Sequence, residues 1–333
     1  MHPERVGGTP HRREMSRRLM TAHLELGCAP TWTCAPYQAG HRPGVGEQIA
    51  WGESNAVAFA NSVLGARTNR YGDFLDLCCA ITGRAPYCGL HVRENRRARV
   101  VLDITGLGEA LRREEAFYPV LGTLLGRWAG ERVAAIVGVP ADIGEDALKA
   151  LGAGAASSGA VGLFHIVGVT PEAARLEDAL HGRAPARTLR VTPAMIRAVR
   201  DALSTSTAEA IDCVALGSPH FSYDESRALD RLSAGRRFAV PLYVCTGRHV
   251  MERLAAEGID KPLEARGVIF VVDTCVVVTP ILKGVGGVMM TNSAKFAHYG
   301  RPNTGFDTIF GTLADCVASA ESGRVVRDES LWR

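Results

Sequence analysis

Lysine is scarce in this chain: only Lys149, Lys261, Lys283 and Lys295 occur in 333 residues, and the formal charge is +3. Non-specific nucleic-acid binding needs a concentrated basic face, so nucleic acid is not an expected partner. Long apolar runs are missing as well. The nearest, GVIFVVDTCVVVTPIL, contains Asp273 and reads as a buried strand followed by a loop, which leaves no expected membrane partner. The arginine-rich RREMSRR near the start lacks the apolar stretch of a secretory signal. No Walker loop, GxGxxG after a strand, HExxH, GxSxG or zinc-ribbon spacing is present. The small-residue stretch GAGAASSGAVG precedes a strand instead of joining strand to helix, and it reads as a turn. Nine cysteines, at 28, 34, 78, 79, 88, 213, 245, 275 and 316, are odd in number and irregularly spaced. That pattern suits free thiols or a metal centre in a reducing compartment better than a disulfide framework, and the cytoplasm is the expected location.

What the chain does have is polar chemistry gathered in islands. CAPTWTCAPYQ, GEQIAWGESNAVAFANSVLGARTNRYGD and GRAPYCGLHVREN lie between residues 28 and 95, and ALGSPHFSYDE, VVDTCVV and MTNSAKFAHYGRPNTGFDTIFG lie beyond residue 214. They read as loops converging on one site. Between them the texture is that of an α/β protein. ARVVLDITGL, RVAAIVGV and VGLFHIVGV are strands separated by the helices REEAFYPVLGTLLGRWAG and EDALKALGAGAAS. A second unit opens near Thr192, with Thr192 as N-cap and Pro193 at the first helical position. In it CVALG, FAVPLYVCT and GVIFVVDTC alternate with helices. The expected fold is α/β, a multidomain arrangement of mostly parallel sheets flanked by helices. The expected divisions are a site-bearing partial domain over 1–96, a first α/β domain over 97–190 and a second over 191–333 with the C-terminal site loop. Loops at the carboxyl ends of parallel strands collect in one crevice, so Ser218, Thr246 and Cys275 are expected to face a shared pocket.

Individual residues carry different weight. HRREMSRRLMTAHLELGC reads as a helix, either a small edge on a compact domain or the trace of a layer missing from the chain. A further helix is expected from about Ala50 to Val63, with Glu53 near its start where unpaired amides favour negative charge, and a short one from Asp73 to Ile81. Cys78, Cys79 and Cys316 fall in apolar helical patterns and read as packed thiols, and Cys213 and Cys245 read the same way. Cys34 and Cys275 differ, because one sits in a segment without periodicity and the other emerges at a strand end. Each reads as either a metal or catalytic ligand or a packed thiol. Arg67, Thr68 and Asn69 form a donor patch suited to a carboxylate, though with Asn55 and Asn61 they could equally pin the domain together. Lys295 and His298 share helical spacing and suit proton transfer or carboxylate binding, or a structural ion pair.

The peptides PTWTCAPYQ, GEQIAWGESNAVAFANSVLGARTNRYGD, GRAPYCGLH, ALGSPHFS, VVDTC and MTNSAKFAHY resemble those of the aconitase X family, from about Glu14 to the end. The resemblance implies an aconitase-like arrangement and a dehydratase: some bacterial members act on cis-3-hydroxy-L-proline and archaeal ones on phosphomevalonate, so cis-3-hydroxy-L-proline is the expected substrate, with phosphomevalonate or another hydroxy acid as the alternative. It also implies an iron–sulfur cluster held by Cys34, Ser218 and Cys275, and a small swivelling-domain subunit as partner. Members carry a stretch ahead of PTWTC that this chain lacks, so a truncated, inactive scaffold or partner-binding subunit is the alternative. Many relatives have GCPH where this chain has GSPH, and the harder serine oxygen makes a [2Fe-2S] cluster more fitting than a four-iron one. On this resemblance Glu53, Lys295 and His298 are catalytic candidates. Arg67, Thr68, Asn69, Asn292 and Ser293 would bind substrate, and His220 and Asp273 would order the cluster loops.

Overall fold

The computed structural model describes residues 9–72, 74–282 and 286–332. Its strands are β1 (Val100–Asp103), β2 (Ala134–Val137), β3 (Phe164–Ile166), β4 (Arg187–Arg190), β5 (Cys213–Leu216), β6 (Leu242–Thr246), β7 (Val268–Val272), β8 (Gly287–Thr291) and β9 (Phe306–Phe310). They form two sheets, ordered β3-β2-β1-β4 and β7-β6-β5-β8-β9. Every pairing is parallel, with Val100 opposite both Ala134 and Arg187, and Leu242 opposite Val268. Helices cover both faces of each sheet, which is the mixed α/β architecture expected from alternating strand and helix segments.

Side-chain alternation divides the second sheet between two cores. Val214, Leu216, Leu242 and Val244 pack on one face, while Cys213, Ala215, Tyr243 and Cys245 pack on the other. Burial on both faces is why these strands read as continuous apolar runs. The chain builds β5, β6 and β7 outward in one direction and then returns to add β8 and β9 on the other side of β5. The carboxyl ends of β5 and β8 therefore flank a topological switch point, the place where open parallel sheets form crevices. Ala294, Ala297, Phe310 and Trp332 from the second unit join the core of the first, so the two units share packed surface.

Two sequence expectations need correction, and one strand has no counterpart among them. Of the two readings of the small-residue stretch, the helix EDALKALGAGAAS holds and the turn over GAGAASSGAVG does not, because residues 152–159 complete the helix Glu145–Gly159. Its small residues allow backbone contact with the helix Phe117–Ala129: a Cβ on Gly154 would lie 2.6 Å from the Pro119 carbonyl oxygen. β4, with the sequence RTLR, was not anticipated. It is a mostly exposed edge strand whose arginines discourage further pairing. The 290–311 island is also more regular than a loop, since it contains the end of β8, the helix Ala294–Thr304 and β9.

Elsewhere the elements start and stop where local chemistry says. Thr192 caps its helix by accepting from the Met195 amide, and Pro193 sits in the first turn. Glu53 is the N-cap of the helix Ser54–Phe59, which continues as a π-turn over Ala60–Leu64 and ends at Gly65, with φ +73°. Asp73 lies outside the described residues, and the short helix expected there spans Leu75–Thr82. The helix Pro10–Glu25 is present and buries none of its residues.

Candidate functional site

Three segments far apart in sequence meet above the carboxyl ends of the second sheet. The first, around Cys34, is held by the helix Ser54–Phe59. Asn55 Nδ2 donates to the Cys34 carbonyl at 3.2 Å and to Tyr37 Oη at 3.0 Å, and the Tyr37 ring stacks on Phe59 with centroids 3.7 Å apart. The second leaves β5 through Gly217. At φ +89° and with a Cβ position only 2.0 Å from the Cys245 carbonyl oxygen, this residue has room for hydrogen alone. The third leaves β7 through Asp273, whose carboxylate is clamped by Arg248. The amides of Val277 and Val278 face the Cys275 sulfur.

His220 ties the three together. Its backbone N–H donates to Cys34 Sγ at 3.2 Å, Nδ1 meets Thr33 Oγ1 at 3.0 Å, and Nε2 meets the Thr274 carbonyl at 3.1 Å. Burial lowers its pKa to about 4, so the ring is neutral near pH 7. A carbonyl only accepts, which assigns the proton to Nε2 and makes the Thr33 hydroxyl the donor to Nδ1. One neutral histidine thus spans all three segments.

Charge is concentrated beside the thiols. Lys295 Nζ pairs with Glu53, and Glu53 also accepts the Ala56 amide at 2.8 Å. Burial and then Glu53 push the Cys34 thiol up to about 12, against the opposing pull of Lys295 and the His220 amide. Cys275 is raised by burial, and Cys34 and Cys275 each feel the Glu53–Lys295 pair. Burial opposes a charge on Lys295, yet Glu53 and the two sulfurs raise its pKa and hold it protonated. Cys245, which the sequence reading treated as packing, is fully buried close enough to be influenced electrostatically by both Cys275 and Cys34. Its neighbours come from tertiary folding, and no sequence spacing signals them.

The remaining candidates divide. Ser218, Asn292, Ser293 and Lys295 line one cavity of about 500 Å3 at the switch point between β5 and β8. Within it Ser293 has structural work, capping the helix Ala294–Thr304 and donating to the Ser218 carbonyl. Arg67 is half-buried with its Nε unpaired, and its guanidinium has no partner among the described residues. Thr68 and Asn69 are occupied by backbone groups: Thr68 Oγ1 accepts the Trp51 amide at 3.2 Å, and Asn69 Oδ1 accepts the Leu90 amide at 2.7 Å. Asn61 is likewise consumed by Thr68, Gly162 and the buried Arg96. His91 bonds Tyr71 and Gln48. His298 does not join Lys295: it lies edge-on to Tyr299 and lines a separate crevice with Arg127 and Ser158. Thr246 is turned to the Phe221 carbonyl at 2.7 Å instead of a pocket.

Among the described residues no three His, Cys, Asp or Glu side chains are grouped to hold a metal ion. Cys34, Ser218 and Cys275 offer a different set, two sulfurs and an oxygen. Peptide amides face both sulfurs, an arrangement that favours thiolate ligands, and the Ser218 hydroxyl has no hydrogen-bond partner among the described residues. This donor chemistry fits an iron–sulfur group.

Comparison with known proteins gives a consistent picture. Family models described as the first, second and third domains of aconitase X match residues 1–94, 98–201 and 211–322. The chain is 45% identical over 324 residues to a cis-3-hydroxy-L-proline dehydratase of Pseudomonas aeruginosa, covering 96% of this chain and 55% of that protein. It is 38% identical to a phosphomevalonate dehydratase large subunit of Methanothermobacter thermautotrophicus, covering 88% of this chain and 71% of that one. The crystal structure of holo aconitase X from Thermococcus kodakaraensis superposes with a TM-score of 0.84 at 32% identity, over 95% of this chain and 79% of its own. The chain spans about half the length of the cis-3-hydroxy-L-proline dehydratases it matches, 55% and 53% for the bacterial and the Hypocrea jecorina proteins.

Proposed function

This chain belongs to the aconitase X family, and from that premise we propose that it is a hydro-lyase removing water from cis-3-hydroxy-L-proline to give Δ1-pyrroline-2-carboxylate. The observation that carries the reading is the meeting of Cys34, Cys275 and the Glu53–Lys295 pair beside a cavity lined by Ser218 and Asn292. Support for this substrate over phosphomevalonate comes from the higher identity to the hydroxyproline enzymes.

In the substrate, hydrogen on C2 is weakly acidic and hydroxide on C3 leaves poorly. Arg67, whose guanidinium has no partner among the described residues, binds the substrate carboxylate through parallel hydrogen bonds. Lys295, held protonated, stabilises the negative charge that develops as the C2 proton departs. The Glu53 carboxylate fixes Lys295 and accepts that proton. Loss of the C2 proton to Glu53 and of the C3 hydroxyl as hydroxide, together one water, leaves a double bond between C2 and C3, and the resulting enamine tautomerises to the cyclic imine. Cys34, Ser218 and Cys275 would hold an iron–sulfur group, which supplies a Lewis acid for the departing oxygen. The serine oxygen favours a two-iron cluster. His220 and Asp273 set the loops that carry these ligands.

The same reading includes a small swivelling-domain subunit as partner, supported by the name large subunit borne by the archaeal relatives. It also includes three working units over 1–96, 97–190 and 191–333, with the two sheets falling in the second and third. A cytoplasmic location is part of the proposal, supported by nine free cysteines. Among the described residues no helix is long and apolar enough to cross a membrane.

The test is to co-produce the chain with its small subunit without oxygen, measure iron and sulfide, and follow water loss from cis-3-hydroxy-L-proline, with phosphomevalonate as the control substrate. Product formation should vanish with Cys275→Ala and survive Cys316→Ala, whose thiol is buried in the distant core of the second sheet. Equal effects of the two substitutions would sink the assignment.

A further inference from the structure

Lys149, Asp146 and Glu225, which border the cavity that Ser218 and Lys295 also line, form a buried charge cluster to which the dehydratase reading gives no role. Lys149, on the helix Glu145–Gly159 of the first α/β unit, is 2% exposed. Its ammonium reaches Asp146 Oδ1 at 2.8 Å, Glu225 Oε2 at 2.5 Å and the His220 carbonyl at 3.3 Å, which matches its three N–H donors to three acceptors. Both carboxylates are themselves anchored to Ser222 of the second unit. Asp146 Oδ2 accepts the Ser222 hydroxyl at 2.7 Å, and Glu225 Oε2 accepts the Ser222 amide at 2.7 Å. One cation from the first unit therefore grips the 220–225 turn of the second at both ends. On its opposite side the same turn presents the His220 amide to Cys34 and the His220 ring to Thr33 and Thr274.

Burying a lysine with two carboxylates is an expensive way to join two surfaces that already share an apolar core. A hydrophobic contact would hold the units together, but it could not fix a peptide carbonyl. We propose that Lys149 is a positioning residue: it locks the 218–222 loop of the second unit onto the first, and so sets where Ser218 and His220 stand relative to Cys34. The catalytic consequence rests on the dehydratase reading, whereas the geometric one does not.

The experiment uses the full chain with its small subunit, and the paired variant Lys149→Met with Glu225→Gln, which avoids leaving the Glu225 charge buried alone. Two readouts are taken: iron per chain after anaerobic loading, and the rate at which iodoacetamide labels Cys34 in metal-free protein at fixed pH, followed by peptide mass spectrometry. The proposal expects a folded variant whose Cys34 labels roughly tenfold faster or more, the population change that one charge-assisted hydrogen bond supports. Iron content should fall, and in whatever enzyme loads, kcat should drop while KM holds near wild type, because Arg67 is untouched. Wild-type labelling together with wild-type iron content in the folded variant would overturn it. If the pair does not fold, Lys149→Gln decides, read against Glu225→Gln: Cys34 should label faster in the first than in the second, and equal rates would show that the carboxylate and not Lys149 holds the loop. A wild-type chain that takes up no iron would end the dehydratase reading, while the labelling rates would still report on Lys149.

Discussion

Replacing Lys295 by methionine separates a catalytic from a structural role for the Glu53 pair. The substitution keeps most of the aliphatic stem and removes the charge, leaving Glu53 with only the Ala56 amide as a described partner. Breaking a fully buried pair costs about 3–5 kcal/mol. Here the side chains of Lys295 and Glu53 are 15% and 31% exposed, so the orphaned carboxylate can hydrate. We therefore expect a smaller loss, about 1–3 kcal/mol, read as a lower urea midpoint. Adding Glu53→Gln to Lys295→Met should recover part of that stability, because no charge is then left unpaired. Activity should behave otherwise. If Lys295 stabilises charge at the reacting carbon, both variants lose water-elimination activity by about a hundredfold or more, and restoring stability restores none of it. Activity of Lys295→Met within about tenfold of wild type, or recovery in the double variant, would refute the catalytic assignment.

Four other outcomes are expected. Arg67→Met should raise KM by about 10–100-fold with little change in the urea midpoint, since its guanidinium has no described partner to lose. Arg96→Met should cost about 3–5 kcal/mol in urea unfolding, because a guanidinium 1% exposed pairs with Glu172 and also supports Asn61 and the Leu90 carbonyl. Gly217→Ala should lower iron uptake more than it lowers the melting temperature, as the added Cβ meets the Cys245 carbonyl and displaces the turn into Ser218. Burial holds the pKa values of His91 and His165 below their ordinary value, so the unfolded chain takes up protons first as pH falls. Their contribution is complete above about pH 6.5 and declines below it, which a melting-temperature series from neutral to mildly acidic pH should reveal.

Legibility followed the range of the interactions involved. The helix starting at Pro193 could be placed to the residue, because a threonine cap and a proline in the first turn act within a few positions of each other. The strands of the second sheet could be read because burial on both faces leaves continuous apolar segments. β4 could not, since an edge strand with exposed arginines carries the composition of a loop and acquires its structure from β1 alone. The GAGAASS stretch reads both as helix and as turn for a related reason: small residues signal a turn when considered locally, yet here they let two helix backbones touch. At the site, Thr68 and Asn69 have the right donors for a carboxylate but are satisfied by nearby peptide groups, which composition does not disclose.

From the sequence alone follow the α/β class, the polar segments that carry the chemistry and the resemblance that links them, because residue type, period and motif are local properties. Which of those residues meet was decided by folding. Cys34 and Cys275 are 241 positions apart in number, and only the return of the chain across β5, with His220 spanning the three loops, brings the loops that carry them together. The same topology turned His298 away from Lys295, three residues distant, and set Cys245 and Lys149 beside loops to which no spacing connects them.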